Sequence, residues 1–297
     1  MKVILIGKVK MTLSFLKTIY FNKNFKLVGV LTDLKREEND DFVDLGIFCK
    51  KKNINFLKIK DINSKSTFNW IKKKTPDYIF CFGYSKIIKN PLISKFKNKI
   101  IGFHPTLLPD NRGKHPIIWS IVLGLKLTGS TFFIMSKKID YGKIIDQRKI
   151  KIVENDDANK LYNKITKKAC TQIPILFKKL SKKKFFYRNK KIKKGNIWRK
   201  RTFLDGVIDW RMSNIQINYL IKALTKPYCG ASFFKNKRIY KVFRSEMIDD
   251  YRKKYENLEY GKIINVSKNF IIVKCGSGLI KLKNIVPKLS VKKGEYL

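Results

Sequence analysis

Short apolar runs alternate with helical stretches through the first half of the chain. Lys2–Ile6 (KVILI) is an apolar run closed by Gly7, and residues 11–21 repeat their apolar positions at helical spacing. Residues 25–31 (FKLVGVL) read as a second strand, 41–51 as a helix, 55–59 as a weak strand, and 67–74 as a helix that stops before Pro76. Residues 77–84 (DYIFCFGY) form a strongly apolar strand, with a helix expected over 85–96 and a further strand, KIIGFH, over 99–104. Buried strands alternating with helices predict a mostly parallel sheet covered on both faces, a Rossmann-like α/β domain. Ligands of such sheets lie beyond the carboxyl ends of the strands, which is where the pattern puts His104.

The rhythm changes after Thr128. GSTFFIM and GKIIDQRKIKI read as two strands around Asp140-Tyr141-Gly142, and a long amphipathic helix follows from Asp157 to about Leu180, with Asp156 or Asn155 as its N-cap. Beyond a basic connector come a helix near 213–224 and strands KRIYKVFRS, YGKIINVS, FIIVKCG and GLIKLKNI, with Gly-Ser-Gly at 276–278 as a tight turn. The expected organisation is a domain at 1–184, a basic linker at 185–204 and a smaller β-rich, OB-like domain at 205–297.

Composition narrows the function classes. The chain has 297 residues, 44 % hydrophobic and 13 % aromatic, enough for a full core. No long uncharged apolar run is present, so no membrane span is expected, and Lys8 and Lys10 spoil the N-terminus as a signal peptide. The five cysteines are scattered and lack metal-ligand spacing; they read as reduced core thiols in a cytoplasmic protein, with no metal expected. G-x-G-x-x-G and G-x-x-x-x-G-K-[ST] are both absent, which argues against nicotinamide and P-loop chemistry. The formal charge of +45, from 67 Lys and Arg against 22 acids, suits a polyanionic partner. The basic residues are mostly Lys, spread from end to end among many Ile, Asn and Phe, so an A/T-rich coding sequence is the favoured explanation over a dedicated nucleic-acid surface.

Residues 102–146 carry the chemistry. His104 is followed by Pro-Thr-Leu-Leu-Pro, whose prolines stiffen the segment at a strand end. Asp140 sits in a turn before Gly142 and is placed to return and orient the imidazole. A lone histidine in a proline-rich loop would ordinarily be read as core; the motif around it decides otherwise.

That motif resembles the 10-formyltetrahydrofolate-dependent formyltransferases, whose mark is H-x-S-x-L-P, then R-G, then D-x-G. Here these stand as His104-Pro-Thr106-Leu-Leu108-Pro109, Arg112-Gly113 and Asp140-Tyr-Gly142. DGVIDW at 205–210 and ALTKPYCGA at 223–231, with Trp119, most resemble the sugar N-formyltransferases, in particular those of 4-amino-4-deoxy-arabinose. The resemblance implies formyl transfer from 10-formyltetrahydrofolate to the amine of a nucleotide-linked amino sugar in lipopolysaccharide synthesis. His104 would be the acid–base group and Asp140 would set its tautomer. Lys86, Ile87, Ile88, Lys114 and the turn from Ser136 to Asp140 would line the folate site. Thr106 and Arg112 would contact substrate, Arg112 through a diphosphate or the folate carboxylates. Trp119 is either helix-packing core or a surface on which a base or pterin stacks. Methionyl-tRNA formyltransferase is the related alternative, favoured by the charge, and a homodimer is left open. One departure stands out: the family usually places Asn two residues before the histidine, as an oxyanion donor, and this chain has Gly102. Either Thr106, Asn111 or a backbone N–H replaces that donor, or the chain is a slow or altered enzyme.

Overall fold

Four apolar residues of β1 (Lys2–Ile6) are buried because the strand lies inside a sheet, parallel to both its neighbours. The computed structural model describes residues 1–34, 41–182, 195–248 and 255–297. The chain divides into a unit of Met1–Pro116, Leu127–Lys151 and Tyr162–Arg199, and a second of Ile117–Lys126, Ile152–Leu161 and Lys200–Leu297. The expected linker at 185–204 falls partly outside the described residues, at 185–194.

In the first unit, β1 is joined by β2 (Lys26–Asp33), β3 (Phe56–Ile59), β4 (Tyr78–Cys81) and β5 (Ile100–His104), all parallel. After β6 (Arg112–Gly113), β7 (Leu127–Ile134) and β8 (Ile144–Lys151) extend the sheet antiparallel, giving the order β3-β2-β1-β4-β5-β7-β8. Helix α1 (Lys10–Tyr20) buries Met11, Phe15, Leu16 and Ile19, the helical spacing seen in the sequence. Helices α2 (Leu45–Lys51) and α3 (Lys65–Lys73) are capped by Asp44 and Ser64, whose side chains accept from Gly46 N–H and Thr67 N–H.

Three expectations are corrected. The helix foreseen over 85–96 shrinks to the single turn α4 (Leu92–Lys95). Pro91 has no N–H for a helix interior, and the preceding backbone bonds elsewhere: Asn63 donates to Ile87 O and accepts from Lys89 N–H. Helix α5 (Pro116–Val122) precedes β7, and α6 (Ala158–Ser181) is capped by neither Asn155 nor Asp156. Asp157 Oδ1 accepts from Lys160 N–H at 2.8 Å and is the cap. A two-residue strand β9 (Ile197–Trp198) pairs in parallel with β6, inside what read as a connector.

The second unit contains α7 (Asn214–Leu224), started by a Ser213–Gln216 capping box. Its sheet has the order β10-β11-β14-β13-β12, antiparallel throughout. The strands are β10 (Ala231–Lys235), β11 (Arg238–Ile248), β12 (Ile263–Val266), β13 (Phe270–Lys274) and β14 (Leu279–Val286). Strand β10 was not foreseen. No helix among the described residues is long and apolar enough to cross a membrane.

The core beside the His104 end of the sheet is aromatic. Phe15, Phe82, Phe103 and Phe132 meet edge-on or tilted, with centroids 5.0–6.4 Å apart. Phe103 points to that face of β5, so Gly102 and His104 share the other by the two-residue alternation of a strand. A Cβ on Gly102 would lie 2.7 Å from Phe133 Cζ and 2.9 Å from Met135 Cγ. The backbone there is ordinary strand; what keeps a side chain out is the packing of β7. Gly102→Asn should therefore overpack this layer, costing about 1–3 kcal/mol and several degrees of Tm. Adding Phe133→Leu should recover most of the loss in a thermal melt. An unchanged Tm for the single variant would contradict this account of Gly102.

Candidate active site

His104 ends β5 at the carboxyl edge of the sheet, with its side chain almost wholly buried. Its Nε2 lies 2.8 Å from the carbonyl oxygen of Asn111. A carbonyl only accepts, so Nε2 carries the proton and donates. Nδ1 then faces the Asp140 carboxylate, 3.6 Å from Oδ2. The same Oδ2 accepts from Gly113 N–H at 3.0 Å. The expectation that Asp140 would set the tautomer is thus modified: Asn111 O holds the proton-bearing nitrogen, and Asp140 stands opposite the other.

The loop from 105 to 111 is tied down at several points. Thr106 is fully buried and donates its hydroxyl to Asp110 O at 3.1 Å, while Thr131 Oγ1 donates to Thr106 O at 2.6 Å. The Thr106 proton is therefore committed inside the loop rather than presented to a substrate. Asp140 (φ 48°) sits in the left-handed region, which Asp tolerates better than most residues. The D-x-G pattern has a steric cause: a Cβ on Gly142 would fall 1.7 Å from Ile134 O. Ser136, expected at the folate site, closes this hairpin by donating to the Tyr141 and Lys138 carbonyls.

Arg112 was expected to meet phosphates or carboxylates. It is instead buried, donates to Gly195 O at 2.6 Å, and lies with Cζ 5.2 Å over the Tyr141 ring. It braces the residue that follows Asp140. Lys114 donates its ammonium to Ser85 O, which joins the β6 segment to the chain leaving β4. On that chain Lys86 donates to Lys60 O at 3.0 Å and lies 3.5 Å from Asp33 Oδ2, beside the buried Lys8–Asp33 pair at 2.6 Å. Ile88 is buried in the core, whereas Ile87 is 52 % exposed. Trp119 belongs to the second unit, where the Arg201 guanidinium lies 4.6 Å over its ring.

Cys81, at the end of β4, has its thiol pushed up to about 12 by burial, with the Asp140 charge adding to the shift. It stays protonated at neutral pH and has no nucleophilic role there. What the arrangement offers is one imidazole whose Nε2 proton is held by a main-chain carbonyl and whose Nδ1 faces a carboxylate across 3.6 Å. That is proton-transfer chemistry without a covalent intermediate. The sequence reading missed the Asn111 carbonyl, the Gly113 N–H and the strand at 197–198, all main-chain or long-range features without a side-chain signature.

Residues 33–175 match the family described as formyl transferase, and residues 202–292 match the formyl transferase C-terminal domain. The chain is 27 % identical, over its whole length and 96 % of the relative, to methionyl-tRNA formyltransferase of Caldanaerobacter subterraneus subsp. tengcongensis. Over 72 % of this chain it is 35 % identical to the bifunctional polymyxin resistance protein ArnA of Wigglesworthia glossinidia brevipalpis, a match spanning 33 % of that longer protein. Among solved structures, an N-formyltransferase from Helicobacter canadensis, in complex with folinic acid and dTDP-3-aminofucose, superimposes with a TM-score of 0.67. It is 18 % identical, over 96 % of this chain and 99 % of that one. The two family matches together span most of the chain, and they place it among the formyl transferases.

Proposed function

We propose that the chain transfers a formyl group from 10-formyltetrahydrofolate to the amine of a nucleotide-linked amino sugar. The observation that carries this reading is the His104 imidazole, held by Asn111 O on Nε2 and facing Asp140 with Nδ1. The donor supplies an electrophilic formyl carbon. A neutral amine attacks it, a C–N bond forms, and the bond to the donor nitrogen breaks. His104 takes the amine proton on Nδ1, where Asp140 stabilises the resulting imidazolium, and returns it to the departing nitrogen. Residues 1–184 would form the catalytic domain and 205–297 the second.

The residues at the end of β4 fit the donor. Ile87 leaves apolar surface there for a flat ring, and Lys114 holds this segment against the strand bearing Gly113. Lys86, Ile87, Ile88, Lys114 and the 136–140 turn are the folate side in this reading. With Gly102 lacking a side chain and the Thr106 proton committed, we assign the oxyanion donor to the Asn111 side-chain amide. The amino-sugar acceptor is supported by the likeness to ArnA and to the dTDP-3-aminofucose complex. The methionyl-tRNA relative and the +45 charge support initiator tRNA as the second acceptor.

His104→Asn should lower kcat by ~100-fold or more, the usual scale for losing an acid–base group; retained activity would end this mechanism. Asn111 has φ 60°, so glycine replaces it without backbone strain. Asn111→Gly and Asn111→Asp should both slow formyl transfer by ~100-fold, whereas Thr106→Val should lower Tm more than kcat. Wild-type rates in both Asn111 variants would remove it as the donor. Assayed side by side, dTDP- and UDP-linked amino sugars should be formylated. Methionyl-tRNA should bind only weakly, with an affinity that collapses as salt rises. Efficient, salt-resistant formylation of the tRNA would reverse the choice of acceptor.

A further inference from the structure

We infer that residues 195–198 act as a positioning strap, whose pairing with residues 111–114 fixes the proton-bearing nitrogen of His104 and the place of Asp140. The inference rests on the proposed role of His104 and adds residues outside the formyltransferase motif. Three N–H groups of the 111–114 segment face the strap: Asn111 N–H donates to Asn196 Oδ1 at 2.8 Å, Arg112 N–H to Asn196 O at 3.2 Å, and Lys114 N–H to Trp198 O at 3.1 Å. The groups on the other edge serve the catalytic pair. Asn111 C=O accepts from His104 Nε2, and Gly113 N–H donates to Asp140 Oδ2.

Peptide geometry makes the two edges one device. In a trans peptide, N–H and C=O point in opposite directions. The peptide joining Asn111 to Arg112 therefore aims its oxygen at His104 when its N–H is held by Asn196 O. Asn196 binds this point twice, through its side chain and its main-chain carbonyl. Asn111 is held with φ 60°, a conformation that costs energy for a non-glycine residue and persists where surrounding bonds over-determine it. Gly195 lets the strap approach: a Cβ there would fall 2.0 Å from Pro109 O. The Arg112 guanidinium, on Gly195 O and over Tyr141, adds a third tie.

Asn196 is thus a positioning residue, acting through Asn111 on His104. The chain has two histidines, so 15N-histidine spectra of the intact protein report the His104 tautomer directly, and His115→Gln assigns the signals. In the wild type His104 should carry its proton on Nε2. Asn196→Ala should give a mixture of tautomers and a kcat reduced by roughly tenfold, with the KM of both substrates changed less than about twofold. Asn196→Asp keeps an oxygen that accepts from Asn111 N–H and should restore both readouts. Gly195→Ala, which removes no hydrogen-bonding group, should reproduce the alanine phenotype by pushing the strap away. An Asn196→Ala protein with the wild-type tautomer overturns the inference, whether or not its activity falls, as does a failure of Asn196→Asp to restore it. The spectra need no substrate. If His104→Asn proved active, the acid–base reading would fall while the tautomer result still judged the strap.

Discussion

The bond from His104 Nε2 to the Asn111 carbonyl sets what the imidazole can do. With that proton engaged, Nδ1 is the nitrogen left to face Asp140. Several neighbouring hydrogen bonds hold the loop that carries that carbonyl. The Thr106 hydroxyl and the Thr131 hydroxyl secure the loop on one side, and residues 195–198 secure it on the other. A carboxylate alone would hold the ring less definitely, since at 3.6 Å it attracts charge without fixing a hydrogen position.

The apolar side of the site is equally constrained. Gly102 shares its strand face with His104, and the room a side chain would need is filled by Phe133 and Met135 from the antiparallel neighbour. Packing therefore occupies the place of the family's usual oxyanion residue, and in the proposed reaction the donor comes from the loop after His104. Burial, with the Asp140 charge beside it, also keeps the Cys81 thiol protonated.

The lysines show how a chain with few acids satisfies its cations. Some pair with carboxylates, as Lys8 does with Asp33 and Lys179 with Asp146. Backbone carbonyls accept from lysines as well: Lys60 O from Lys86, Ser85 O from Lys114, and Cys275 O from the buried Lys274. At the candidate site this use is structural, because the Lys114 bond joins the β6 segment to the chain leaving β4. A composition that reads as a polyanion signal is thus partly absorbed by the fold itself.

Much of the architecture was written in local pattern. KVILI, DYIFCFGY and KIIGFH are strands because their apolar runs are buried on both faces, and 158–181 is a helix because its apolar residues recur at helical spacing. The approach of His104 and Asp140 was legible from the motif, since a strand end and a turn before Gly142 have few ways to meet. Local pattern did not show that 85–90 would bond to Asn63 instead of forming a helix, or that Arg112 would turn inward to Gly195 and Tyr141. Nor did it reveal that Gly195 and Asn196 hold the catalytic loop. Those outcomes depend on hydrogen bonds between a main-chain group of one segment and a side chain of a distant one, as from Asn111 N–H to Asn196 Oδ1, 85 residues on. Periodicity reports which face of an element is buried. Which backbone group meets which is decided only when the distant segments come together, because a peptide N–H carries no side-chain signature of its partner.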